Sequence, residues 1–320
     1  MTLPVRLAMA LALICAAMGA HAFPDRPVTL VVPFPAGGPT DIVARVVAQR
    51  MSSLLGQALV VENRSGAAGQ IGAASVAKAK PDGYTIGVAT VSTHGTAPIL
   101  HATIPYDALK DFTPISNLAT SPSAIAVHPS VPANTLAQLV ALVRASPGKL
   151  AYANAGAGGI GDLGMTWFLQ IVGGSMLSVS YKGSAPALVD VVAGQVPVIF
   201  DNFPSTLVYV RAGKLRPLAI TGKSRNATAP DLPTFAEAGF PEFDATAWYG
   251  LISPAGLRPE VVARLYDAAA KSVADPAVAA RLADAGAFPL GNRPEEFAAQ
   301  IRGELAKWAQ VIRTAGIRPQ

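Results

Sequence analysis

The sequence predicts an α/β protein built of two lobes, and three observations predict it. Short β-rich runs alternate with helical patterns along most of the chain, the rhythm of parallel sheets covered by helices. The chain has 320 residues, whereas single hydrophobic cores stop growing at about 250–300 residues. Two glycine-rich strand-to-helix loops, at residues 36–41 and 156–161, occupy comparable positions in the two halves.

In chain order, residues 1–22 have the layout of an export signal. Arg6 makes a short basic start, an apolar run follows from Leu7 to Ala20, and Ala20-His21-Ala22 offers a small-x-small cleavage site. The run is shorter than the roughly 20 residues a membrane span needs. Leu13-Ile14 before Cys15 also lacks the small residues of a lipoprotein site. A soluble exported protein cleaved after Ala22 is expected. Cys15 is the single cysteine, so the mature chain has no disulfides and depends on its core in an oxidising compartment.

The run Val28-Thr29-Leu30-Val31-Val32 predicts the first strand. It passes through Pro33-Phe34-Pro35-Ala36-Gly37-Gly38-Pro39-Thr40-Asp41 into a helix with Val43, Val46, Val47 and Leu54 at three- and four-residue spacing. Residues 59–62 and 84–89 read as further strands. A Gly/Ala-rich helix over about 69–78 lies between them, closed by the turn Pro81-Asp82-Gly83. A second set of strands follows at 124–127, 149–153, 178–181, 196–200 and 215–220, separated by helical patterns that include 136–144 and 186–193. The tail is helical: Pro259, Pro276 and Pro294 each open a helix, Gly286 closes the second, and Phe297, Ile301, Leu305, Trp308 and Ile312 make one apolar stripe. The segments 121–132 and 230–244 are the expected crossings between lobes.

Composition removes several function classes. Charged residues are 14% of the chain, against roughly 25% for typical domains. The net charge of +5 becomes +4 without Arg6, and the Lys and Arg are scattered. With no basic stripe interleaved with aromatics, nucleic-acid binding is not expected. There is no Gly-x-Ser-x-Gly, no His-Glu-x-x-His and no mature cysteine, and His94, His101 and His128 are not paired at ligand spacing. No catalytic residue, metal or cofactor is predicted. Gly156-Ala157-Gly158-Gly159-Ile160-Gly161 matches a dinucleotide fingerprint in spacing. However, the next strand ends at Tyr181-Lys182 with no acidic residue for a ribose, and an exported protein has no dependable nicotinamide supply. The loop reads better as an anion corner, like the first. Such a loop offers unpaired backbone N–H groups and the positive end of a helix dipole. If the lobes face each other, both corners point into one cleft that can hold a carboxylate without arginine.

Several motifs then carry a resemblance. Phe23-Pro24-Asp25-Arg26-Pro27, the loop at 33–41, Val61-Glu62-Asn63-Arg64-Ser65-Gly66-Ala67-Ala68-Gly69, Pro81-Asp82-Gly83-Tyr84, Tyr181-Lys182-Gly183, Ala212-Gly213-Lys214-Leu215-Arg216, Pro233-Thr234-Phe235-Ala236-Glu237-Ala238-Gly239 and Trp248-Tyr249-Gly250 occur in that order. Together they resemble the Bug family, periplasmic solute receptors of tripartite tricarboxylate transporters. The resemblance implies a two-lobed periplasmic binding protein of type II with hinge strands between the lobes. Residues 23–122 and 245–320 would form lobe 1, and 123–244 lobe 2. It implies a small carboxylate ligand, an organic acid or amino acid, gripped partly through bridging waters by Phe34, Ala36, Gly37, Gly38, Thr40 and Asp41. Thr93 and His94, in the segment Ser92-Thr93-His94, would line the cleft of lobe 1. From lobe 2 the same resemblance implies Asn154, Ala155, Gly156, Gly158, Gly159, Lys182, Gly183, Ser184, Asp201 and Asn202. It further implies a monomer in the periplasm that delivers ligand to integral membrane transporter subunits. A sensor feeding a signalling kinase is the alternative, and an exported enzyme using the same cleft the lesser one.

One departure stands out. The family's second loop reads Gly-x-Gly-Ser-x-x-His-Leu, whereas here Gly159 replaces the hydroxyl and Asp162 the imidazole. Asp162 is expected in the first helical turn as a dipole partner. Asp201, at a strand end, is expected to face the cleft and read an amino or hydroxyl group of the ligand.

Overall fold

The structure, a computed structural model, describes residues 23–318; the export-signal reading falls outside them. In chain order the strands are β1 (Val28–Val32), β2 (Leu59–Asn63), β3 (Thr85–Thr90), β4 (Phe112–Ser121), β5 (Ser123–Val127), β6 (Ala151–Asn154), β7 (Leu177–Ser180), β8 (Val198–Asn202), β9 (Arg216–Ile220), β10 (Ala247–Pro254) and β11 (Phe288–Pro289). The helices are α1 (Pro39–Leu55), α2 (Gln70–Ala77), α3 (Ala97–Leu100), α4 (Leu136–Ala145), α5 (Ile160–Ile171), α6 (Ser184–Val192), α7 (Phe203–Arg211), α8 (Pro259–Ala274), α9 (Pro276–Asp284) and α10 (Pro294–Thr314).

The strands form two sheets, ordered β11-β4-β10-β3-β1-β2 and β7-β6-β8-β5-β9. Within them β1, β2 and β3 are parallel, as are β6, β7 and β8. The sheets are mixed: beside these parallel strands each takes in antiparallel ones. β10 runs against β3 and β4, and β5 runs against β8 and β9. The cause is the way the chain changes sheet. β4 ends at Ser121 and β5 starts at Ser123, so β5 enters the second sheet from the end where β8 finishes. β10, returning after the segment 221–246, enters the first sheet the same way. β4 and β10 also escaped the sequence reading. β10 is buried at every residue, so it shows no two-residue alternation, and β4 carries Pro114 and several polar residues.

Local sequence explains how the elements close. α1 starts at Pro39, whose missing N–H costs nothing at the first helical position, and buries Val43, Val46, Val47 and Met51 on one face. It stops at Gly56, which takes a left-handed φ of 75° and donates its N–H to the Ser52 carbonyl. α10 buries Phe297, Ile301, Trp308 and Ile312 against the first sheet. Gly250 of β10 lies against that helix. A Cβ there would collide with the Phe297 ring, so the Trp248-Tyr249-Gly250 motif contains a packing requirement. The second lobe is filled by an aromatic cluster in which Phe168, Phe200, Phe235 and Phe243 stack edge-on or tilted.

Candidate functional site

Between the sheets lies a cavity lined by residues of both lobes. Four helices begin on its wall. Pro39 and Thr40 open α1, Ile160 and Gly161 open α5, Ser184 opens α6, and Asn202 is the residue before α7. Each N-terminus carries about half a positive charge from its aligned peptide dipoles and leaves first-turn amides without helical partners. Thr90, Ser92, Thr40, Ser184 and Asn202 add side-chain hydrogen-bonding groups; Phe34, Val91, Ala68 and Trp248 supply apolar wall. Among the described residues, no Lys, Arg or His lines the cavity. The site therefore attracts negative charge through dipoles and hydroxyls.

The two glycine-rich loops are built alike. Gly37 and Gly158 take φ of 77° and 73°, which glycine adopts without the Cβ penalty. Gly38 and Gly159, the residues before the helices, are extended, with φ −77° and −76°. In each loop the third helical residue is an aspartate that accepts from the amide four residues back. Asp41 Oδ2 accepts from Gly37 N, and Asp162 Oδ2 accepts from Gly158 N, both at 3.0 Å. Asp41 also accepts from Asn63 Nδ2 and Arg45 Nε, each at 2.9 Å. Burial by itself raises the Asp41 carboxyl, but the bonds from Arg45, the Gly37 amide and Asn63 outweigh it and hold the group below its usual range. Asp162 Oδ1 accepts from Tyr152 (2.8 Å), Ser178 (2.8 Å) and Asn154 (3.2 Å). Hydrogen bonds to charged groups contribute about 1.5–3 kcal/mol each, so these aspartates fix the loops. Asp162 does sit in the first turn as expected, but its role goes beyond a dipole partner. The repeated Gly-Gly-x-x-Asp was the sequence signal for this.

Of the residues the sequence reading selected, the structure places Phe34, Thr40, Ala155, Gly156, Gly159, Ser184, Asp201 and Asn202 on the cavity wall. The others lie off it, and each placement has a physical cause. Ala36 and Gly37 are exposed at the rim, as is Lys182. Gly38 is buried behind the wall, its N–H donated to the Pro35 carbonyl. Asp41 and Gly158 are engaged in the loop bonds just described. Asn154 donates to Asp162 and Ser178 and accepts from the Gly156 amide. Gly183 packs against Pro35 of the opposite lobe. Thr93 and His94 face the lobe 1 core, because the chain makes a wide π-helical turn at Ser92–Thr96 rather than a loop. His94 Nδ1 is 2.9 Å from Thr93 Oγ1, and the ring packs on Tyr106 and Phe112. Desolvation pushes the imidazole down to about 3, so it is a neutral core residue. The end of β3 and the start of this turn bring Thr90, Val91 and Ser92 to the wall. With Pro39, Ala68, Ile160, Gly161, Ala247 and Trp248, these are the wall residues the sequence reading did not select as site residues.

The lobes are closed on the cavity. Ile160 N of α5 donates across the cleft to Ser92 Oγ at 3.1 Å. Trp167 meets Trp308 edge-on at 6.3 Å, and Arg211 Nη1 donates to the Asp284 carbonyl at 3.0 Å. At the crossing, Ser123 N donates to Thr221 Oγ1 (2.8 Å), while Ser123 Oγ donates to Asn202 Oδ1 (3.1 Å) and to the Ala245 carbonyl (2.8 Å). One serine thus ties a wall residue to both connecting segments.

Asp201 is the charged side chain of the wall and is 4% exposed. Ser184 Oγ donates to its Oδ1 at 2.7 Å and Ser205 Oγ to its Oδ2 at 2.6 Å. Burial pushes the carboxyl up to about 6, against the lowering effect of these hydroxyls and the Asn202 amide.

Comparison with known proteins gives a consistent answer. Residues 43–317 match the family described as the tripartite tricarboxylate transporter family receptor. Protein BugT of Bordetella pertussis is 36% identical over 310 residues, covering 95% of this chain and 94% of BugT. Among solved structures, R. palustris Rpa4515 with adipate superposes with a TM-score of 0.91 at 38% identity, covering 93% of this chain and all of that one. MatC from Rhodopseudomonas palustris with bound malate superposes with a TM-score of 0.86 at 35% identity, covering 91% of this chain and all of that one. With two sheet-and-helix lobes closed on a dipole-lined cavity, the chain belongs to the tripartite tricarboxylate transporter receptor family, the Bug or TctC group of periplasmic solute-binding receptors.

Proposed function

We propose that this receptor works in the periplasm as a monomer, closes on a small organic acid with one or two carboxylates, and presents it to integral membrane subunits of a transporter. The observation that carries the reading is the convergence of four helix N-termini on a cavity without cationic side chains. A carboxylate there is stabilised by about 0.3–1 kcal/mol per helix end, up to about 2 when partly buried, with hydroxyl donors adding charge-assisted bonds. The adipate and malate bound to two relatives are small dicarboxylates. Lobe 2 supplies three of the four helix ends, so hinge closure and ligand capture are one event.

The test is calorimetric titration of the mature protein with malate, adipate and their uncharged diamides. At least one acid is expected to bind while its diamide does not. Flat responses to every acid, or equal affinity for acid and diamide, would remove the carboxylate reading. Uptake of the bound acid by cells with and without the receptor then tests delivery.

A further inference from the structure

Asp201 poses a problem for an acid-binding cleft, since it adds a carboxylate where the ligand's own must fit. The groups set against it are uncharged: Ser184 of α6 and Ser205 of α7 donate to it, Ala124 of β5 is its register partner, and Tyr249 of β10 stands near it. β6 and α5 also pack on β8, and their titratable groups Tyr152 and Asp162 bond to each other. Burial raises the Tyr249 phenol, with the Asp201 charge adding to that rise, so it stays neutral. No Lys, Arg or His stands on the wall to balance a second anion, and Asp201 takes part in none of the ion pairs among the described residues. Two carboxylates sharing a dry site cannot both stay ionised.

We propose that Asp201 sets the charge state the cleft accepts, so that a dicarboxylate is enclosed only together with one proton, shared between Asp201 and the nearer ligand carboxylate. The inference rests on the carboxylate-receptor reading. Protonated Asp201 keeps both serine bonds, because each of its oxygens accepts a second hydrogen bond. Its new O–H donates to the ligand, turning a repulsion into a short charge-assisted bond. The carboxyl of the empty cleft, pushed up to about 6, is thus already about one-tenth protonated at pH 7, against roughly a thousandth for an ordinary aspartate. The balance is simple: ligand dianion plus one solvent proton gives the complex, and release returns the proton.

The experiment is titration of the mature protein with malate and adipate from about pH 5.5 to 8.5 in buffers of different ionisation heat, with proton uptake counted at about pH 7–8.5, where both ligand carboxylates are free and ionised. About one proton should be taken up per ligand bound. The dissociation constant should rise about tenfold per pH unit above about pH 6 and level off below it. Asp201→Asn should bind the same acid with no proton uptake and a flat pH profile. Ser205→Ala, which removes a donor that lowers Asp201, should move the break in the wild-type profile to higher pH. Tight wild-type binding with no proton uptake, or a Ser205→Ala break that stays in place, overturns the proposal. Failure of both acids to bind at every pH instead overturns the carboxylate reading beneath it. Should Asp201→Asn not fold, the Ser205→Ala profile and the wild-type proton count decide the matter.

Discussion

At one contact between the lobes, closure of the cleft requires a glycine. Gly183 has φ 149° and ψ 174°, a backbone region open essentially to glycine alone. A Cβ built there lies 2.7 Å from Pro35 Cγ across the cleft, closer still to Cδ, and 3.7 Å from Cβ. Ordinary carbon contacts are about 3.5–4.0 Å, so Gly183→Ala should hold the lobes apart by roughly 1 Å. Lobe 2 donors about 2.9 Å from a ligand oxygen would then pass the limit of a hydrogen bond. Losing one charge-assisted bond costs about 1.5–3 kcal/mol, roughly a 10–100-fold weaker affinity. The substitution also strains the backbone by about 1–3 kcal/mol, which lowers the melting temperature without acting on the cleft. Pro35→Ala separates the two effects, since it deletes the colliding Cγ and Cδ and leaves an ordinary contact at Cβ. In calorimetric titration, Gly183→Ala should bind weakly, and the Pro35→Ala/Gly183→Ala double variant should recover most of the affinity while staying less stable. Wild-type affinity in the single variant, or no recovery in the double one, refutes the reasoning.

Two further outcomes are expected beside the carboxylate panel and the proton titration. Ser92→Ala removes the acceptor of the Ile160 amide, leaving a buried donor unpaired in the closed form at a cost of about 1–3 kcal/mol. The ligand-free protein should then open, seen as a larger radius of gyration in X-ray scattering; an unchanged radius would show that this bond does not hold the lobes. His94, pushed down to about 3 by burial, binds fewer protons folded than unfolded, where its value is about 6.5. Stability should therefore fall as pH drops below about 6.5. Its share is about 2 kcal/mol between pH 7 and pH 5, measured as the difference between wild type and His94→Gln in urea unfolding. Identical pH slopes would exclude His94 from that loss.

The strand-to-helix order was legible in the sequence because most elements carry their own signals. Prolines at helix starts, Gly56 and Gly286 at helix ends, and apolar spacing in α1 and α10 act over a few residues, and local sterics and amphipathic periodicity suffice to read them. The first anion corner was legible for the same reason, since a strand, a Gly-Gly turn and a helix start are contiguous. What the sequence could not reveal were features made by residues far apart. The strands β5 and β10 run against their neighbours because the chain crosses between sheets at the cleft, a fact of topology. His94 lies beside Ser92 in the chain, yet the π-helical turn sends one into the core and the other to the wall. Asp41 and Asp162 looked like ligand-facing or dipole charges until Asn63 in one lobe, and Tyr152 and Ser178 in the other, were seen to engage them. The sequence alone therefore determined an α/β chain with two glycine-rich helix starts. Tertiary structure decided that four helix starts meet, that Asp201 is the charged side chain on the wall among the described residues, and that Gly183 and Pro35 touch. Those outcomes depend on distances between segments from about twenty to more than a hundred residues apart, which no local preference encodes.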